Sequence, residues 1–179
     1  MNELSLHPDT RILLATWRTL NQLGARTPSN DGMASNHAAL IQRLFLLEKV
    51  GNTILFRMAG EQLRTILGHD PAGEEFATLF SEADQAFVRP LLEQILQSGN
   101  PGLLRLRGHD NHFRSILAET LLAPVPDRPS RRLIGLLQPT TSETLLRGRP
   151  VTRWAILGLY PPNAQASENG LKVVAGGRQ

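Results

Sequence analysis

Two short runs, Leu44-Phe45-Leu46-Leu47 and Leu133-Ile134-Gly135-Leu136-Leu137, are apolar at odd and even positions alike. A strand in a sheet wet on one side alternates apolar and polar residues, so strands of this kind need cover on both faces. Helices inserted between the second and third strands cover one face. The other is left to a helix near the N-terminus or to a second subunit.

The remaining sequence supplies such elements. Pro8 and Asp9 suit a first helical turn, Leu13, Trp17 and Leu20 recur at helical spacing, and Gly24 suits a C-terminal cap, which predicts a helix over residues 8–24. A Thr, Pro, Ser, Asn and Gly-rich loop follows to Asn36, with a short helical turn over 37–41. Leu44 to Val50 and Thr53 to Met58 flank Gly51-Asn52 and read as a hairpin. Leu63, Ile66 and Leu67 predict a short helix ended by Gly68, and Phe76, Leu79 and Phe80 another. Ser81 with Asp84 resembles a capping box opening a helix to about Gln97, kinked at Pro90, with Phe87, Leu91 and Ile95 on one face. Leu103 to Arg107, His112 to Leu122 and Arg132 to Gln138 are strand-like. The order predicts an α+β fold: 1–36 an N-terminal helix and linker, 37–140 the main domain, 141–179 a partly flexible C-terminal extension.

Composition narrows the function classes. With 179 residues, 41% of them hydrophobic and 20% charged, the chain can bury one core with tails. No stretch reaches the roughly 20 apolar residues of a bilayer crossing, and no leader pattern opens the sequence, so a cytoplasmic protein without membrane insertion is expected. The absence of cysteine excludes disulfides, thiolate metal sites and cysteine nucleophiles. The net charge of +3 is uneven: residues 1–100 carry 8 basic and 11 acidic groups, residues 101–179 carry 11 and 5. A basic C-terminal half makes nucleic acid the alternative partner, although no Lys/Arg run or aromatic interleaving accompanies it.

Specific residues then converge on a family. Trp17, Arg26-Thr27-Pro28, Phe56-Arg57-Met58-Ala59-Gly60, Leu67-Gly68 with Gly73, Glu119-Thr120-Leu121-Leu122-Ala123-Pro124 and Arg132-Leu133-Ile134-Gly135 stand in order over about residues 8–139. In these the chain resembles the PAS-like family of alphaproteobacteria, formerly a domain of unknown function. Where relatives carry further basic and polar residues after the proline, this chain has Ser29-Asn30. The resemblance implies a five-stranded antiparallel sheet with helices on one face, often enclosing a small ligand cavity, and an N-terminal helix packed on the sheet or at a dimer interface. It implies a non-catalytic sensory module of bacterial signal transduction, binding a small molecule, a signalling-protein partner or a second copy. It names no cofactor, and the missing cysteine excludes the cysteinyl-flavin photochemistry of light-sensing relatives.

On that reading Phe56, Met58, Phe76, Phe80, Phe87, Leu91 and Phe113 are pocket candidates. Arg57 and Glu119, ionisable residues in apolar strands, either face inward to pair or to orient a polar ligand, or sit on the outer, wet face or in a structural ion pair, the last being the favoured reading. Leu13, Trp17 and Leu20 are the candidate partner or dimer surface. Ala72-Gly73-Glu74-Glu75-Phe76 looks like the signature of cyclic-di-GMP synthases, but it lacks the first glycine and leads into a helix, so an enzyme of cyclic dinucleotides is the weakest alternative. His109, Asp110 and His112 suit a divalent metal by type, but their place is a hairpin turn, where such residues are ordinary, and no metal is assigned. No catalytic residue is assigned.

Overall fold

A computed structural model describes residues 6–22, 38–125 and 131–160. The Gly24 cap, the loop with Arg26-Thr27-Pro28 and Ser29-Asn30, and the tail beyond Tyr160 lie outside the described residues. The elements run α1 (Pro8–Gln22), α2 (Ala38–Ile41), β1 (Leu44–Val50), β2 (Thr53–Ala59), α3 (Glu61–Leu67), a 3-10 turn (Phe76–Leu79), α4 (Glu82–Ser98), β3 (Gly102–His109), β4 (Ser115–Pro124), β5 (Arg132–Pro139), a second 3-10 turn (Glu143–Leu146) and β6 (Arg153–Tyr160). All strands pair antiparallel in the order β2-β1-β5-β4-β3-β6. Among the described residues no helix is long and apolar enough to cross a membrane.

Local chemistry sets most of these boundaries. Gly51 takes a φ of 59° in the two-residue turn between β1 and β2, and Val50 pairs with Thr53 across it. Ser81 Oγ accepts the Asp84 N–H at 3.2 Å and opens α4, as the capping pattern predicts. The expected apolar face of α4 holds at Leu91 and Ile95 but not at Phe87, and Val88 and Leu92 complete it. Val88, Leu91, Leu92 and Ile95 are buried, and Phe87 is not. Pro90 lies inside α4 on its exposed side, so the Ala86 carbonyl that it leaves unbonded also faces water.

The sheet carries one strand beyond the expected five. Residues 153–160 pair with β3, joining His109 to Arg153 and Leu103 to Tyr160. Trp154 explains the addition: it is buried, and its indole packs against the backbone of Gly108, where a Cβ would come within 2.7 Å of the ring.

Both faces of the sheet are covered. On the inner face α3, the first 3-10 turn and α4 pack over Phe45, Leu47, Ile54, Phe56, Leu104, Leu106, Ile116 and Leu122. On the outer face α1 packs across β4 and β5, joining Leu6, Leu13 and Leu14 to Leu103, Leu121 and Leu136. The doubly apolar runs of β1 and β5 are thus accounted for within one chain.

Candidate functional site

The inner face is closed by rings. Phe45, Phe56 and Phe76 surround one another at centroid separations of 5.5 to 5.6 Å, and Phe80 packs on Phe76 at 5.6 Å. The Phe45 ring lies over its cross-strand neighbour Gly135, where a Cβ would come within 2.1 Å of it. Of the pocket candidates, Phe56, Phe76, Phe80 and Leu91 meet in this core. Met58, Phe87 and Phe113 do not: they are 58%, 60% and 93% exposed. The causes are local. A bulge opposite Leu46 and Leu47 shifts the register of β2, so that Arg57 and Met58 both face water; Phe87 lies beside the buried stripe of α4; Phe113 caps the turn between β3 and β4.

Arg57 and Glu119 do not pair with each other, and of the alternatives open for them the outer face is the one observed. Arg57 binds Glu48 on the exposed side of the sheet, where Arg132 joins it, and the Arg57 hydrogen bond, against a smaller opposing push from burial, holds the Glu48 carboxyl below its usual range. Glu119 is 2% exposed and lies on the outer face among β4 residues that meet α1. The difference follows from strand parity, because odd positions of β4 point outward with Leu121 while Ile116, Ala118 and Leu122 point inward.

Around Glu119 the structure builds a polar clamp for α1. Its Oε1 accepts the backbone N–H of His7 at 2.8 Å, immediately before the helix starts. A carboxylate there satisfies an otherwise orphaned donor and faces the positive end of the helix dipole. Beside it Gln138, equally buried, accepts from Arg43 Nη1 at 3.0 Å and donates to the Pro139 carbonyl at 2.8 Å. Arg43 reaches on to Glu143 at 3.3 Å and Asp9 at 3.8 Å. Further along α1, Trp17 Nε1 donates to the Pro124 carbonyl at 2.7 Å. Leu13 and Trp17 are therefore buried against their own sheet, and Leu20 is half-exposed. Thr10, fully buried on α1, has no partner for its hydroxyl among the described residues.

Sequence reasoning missed Gln138, Arg43 and His7. A glutamine at the end of an apolar strand was the available signal, since a buried amide requires partners. The carboxylates of the other candidates are engaged in ion pairs. Glu74 binds His69 at 3.1 Å and raises the imidazole above its ordinary value, while Glu75 binds Arg89 at 2.7 Å, so basic side chains occupy both carboxylates of the synthase-like string. Asp110 is bound by Arg114, and among the described residues no cluster suited to a metal occurs.

A search among curated proteins found no match. Among solved structures, the crystal structure of the Rhodobacter sphaeroides LOV protein is similar at 17% identity and a TM-score of 0.47, over 60% of this chain and 66% of that one. The structure of an RNA-binding light-oxygen-voltage receptor is similar at 16% identity and a TM-score of 0.41, over 58% of this chain and 32% of that one. The chain spans just under two thirds of the first and about a third of the second. The sequence model of the PAS domain matches residues 5–138, well over half of the protein, and the chain belongs to the PAS domain family.

Proposed function

We propose that this PAS domain is a non-catalytic sensory module that passes its signal by changing a protein contact, with α1 and the outer face of the sheet as the responsive part. The observation that carries the reading is the Glu119 clamp. A buried carboxylate holding the first turn of a helix makes docking conditional, because either the bond to His7 is made or a charge is left buried and unpaired. Leu13, Leu14 and Trp17 contribute roughly 1.5–3 kcal/mol each, and the unpartnered Thr10 hydroxyl offsets about 1–3 kcal/mol of that. An element held by a few apolar side chains and a polar latch belongs to the low-stability end of a fold, from which switching segments are drawn. Leu20, half-exposed on α1, is where a second copy or a signalling partner would first register its release.

The test is association of the full chain with and without the latch. Sedimentation and tagged capture from cells should give a dimer or a signalling partner whose yield changes several-fold in Glu119→Ala while the far-ultraviolet spectrum is kept. Unchanged association despite released α1 would defeat the reading.

A second reading, a small polar ligand inside the inner core, draws on Thr120 Oγ1 and Trp154 Nε1, both buried on that side without a hydrogen-bond partner among the described residues. Native mass spectrometry of the purified protein tests it directly, since a bound ligand adds its mass to the chain.

A further inference from the structure

The end of the sheet where β3 turns into β4 combines a rigid turn with an aromatic side chain that packs on nothing. Asp110 Oδ1 accepts the N–H groups of His112 at 2.8 Å and Arg114 at 2.9 Å, and Oδ2 accepts Arg114 Nε at 2.9 Å. Asp110 is buried in making these bonds. The turn so fixed holds Phe113 at a φ of 60° with 93% of its surface exposed. The left-handed region is disfavoured for a bulky residue, and asparagine or glycine would occupy it with less strain. An exposed ring gains nothing from burial in the isolated chain. The turn explains the conformation, but nothing in the fold explains why a phenylalanine occupies it.

The strand residues that flank the turn on one face are basic. His109, at the end of β3, pairs with Arg153, and Arg107 follows two residues back on the same face. Thr152, the residue before Arg153, ties β6 to this end by donating its N–H to the His109 carbonyl at 2.8 Å. Arg107 and Arg153 are exposed and have no ion pair among the described residues. Asp110, the carboxylate of this turn, is occupied by Arg114.

We propose that this basic end of the sheet is a docking site for an acidic protein surface with an apolar pocket that receives the Phe113 ring. Aromatic and arginine side chains are the residues that dominate protein interfaces, and an anchor held in its bound conformation loses little freedom on binding. That rigidity separates the occupants. A bilayer accepts an aromatic tip without a fixed turn. A nucleic-acid strand is tracked by successive stacking rings, and Phe113 is the one exposed ring at this end among the described residues. The proposal rests on signalling by protein contact and names the surface and the chemistry of the partner.

The experiment places a photo-crosslinking phenylalanine analogue at position 113 of the full chain in cells, and in a second protein at position 20 on α1. The expected adduct at 113 is a protein whose crosslinked peptide is rich in Asp and Glu, and Arg107→Glu with Arg153→Glu should lower its yield about tenfold or more. The far-ultraviolet spectrum and melting temperature of the charge-reversed protein confirm that it folds. A nucleic-acid or lipid adduct, a yield indifferent to charge reversal, or no adduct at 113 overturns the proposal. An adduct at 20 with none at 113 removes this site and leaves the signalling reading standing; none at either position removes both.

Discussion

The two faces of the sheet are held by different physics. On the inner face Phe45, Phe56, Phe76 and Phe80 interlock with one another and with α4, and the sequence there is almost wholly apolar. On the outer face α1 meets the sheet through a smaller apolar patch bordered by Glu119, Gln138, Arg43 and Asp9. Apolar packing is insensitive to pairing. A buried polar latch is all or none, because removing one partner leaves the other unsatisfied. The inner face therefore rests on shape and apolar burial, and the docking of α1 on the outer face depends also on polar pairing.

The largest effect that sharpens the contrast is expected inside. Phe76→Ala removes a ring from the centre of the aromatic cluster and should destabilise the whole domain by about 3–5 kcal/mol, measured by chemical denaturation. A loss confined to α1 would instead place the core elsewhere. Next, Gly135→Ala sets a methyl group against the Phe45 ring and should cost about 1–3 kcal/mol through overpacking; a neutral substitution would mean that the ring moves freely.

A smaller, local effect is expected with pH. Burial pushes the Asp110 carboxyl up, but the N–H groups of Arg114 and His112 and the Arg114 guanidinium outweigh it and leave the carboxyl below the ordinary aspartate value. A group lowered in the folded state stabilises above its unfolded value and loses that contribution as pH falls through the folded one. The Arg114 amide resonance should hold its position from neutral pH to about pH 4 and move only below it. Movement between pH 5 and 8 would show that the turn is held by something else. Smallest of all, Phe113→Ala should change stability by no more than about 0.5 kcal/mol, because the ring packs on nothing within the chain.

How far the sequence revealed this arrangement depended on whether the deciding signal was local. The hairpin at Gly51-Asn52, the cap at Ser81 and the doubly buried runs of β1 and β5 are written in neighbouring residues, and the structure follows them. Met58 was misplaced because the bulge beside Leu47 depends on pairing between strands. Phe87 was misplaced because it borders the stripe that Leu91 and Ile95 share with Val88 and Leu92, and only the packing of α4 on the sheet decides which edge of that stripe is buried. Glu119 was singled out as an ionisable residue in an apolar strand. Its partner, the His7 backbone, is 112 residues away, and no pattern in the sequence joins them.

The separation of the two faces is tested most directly by hydrogen exchange, followed by mass spectrometry, on Glu119→Ala beside the parent protein. Loss of the carboxylate should weaken α1 docking by about 1–3 kcal/mol, so exchange over residues 8–22 should quicken by roughly five- to a hundredfold while the amides of β4, β5 and α4 keep their protection. Equal acceleration in α1 and in the aromatic core would show one cooperative unit with no separable outer element, and unchanged exchange in α1 would show that Glu119 does not latch it.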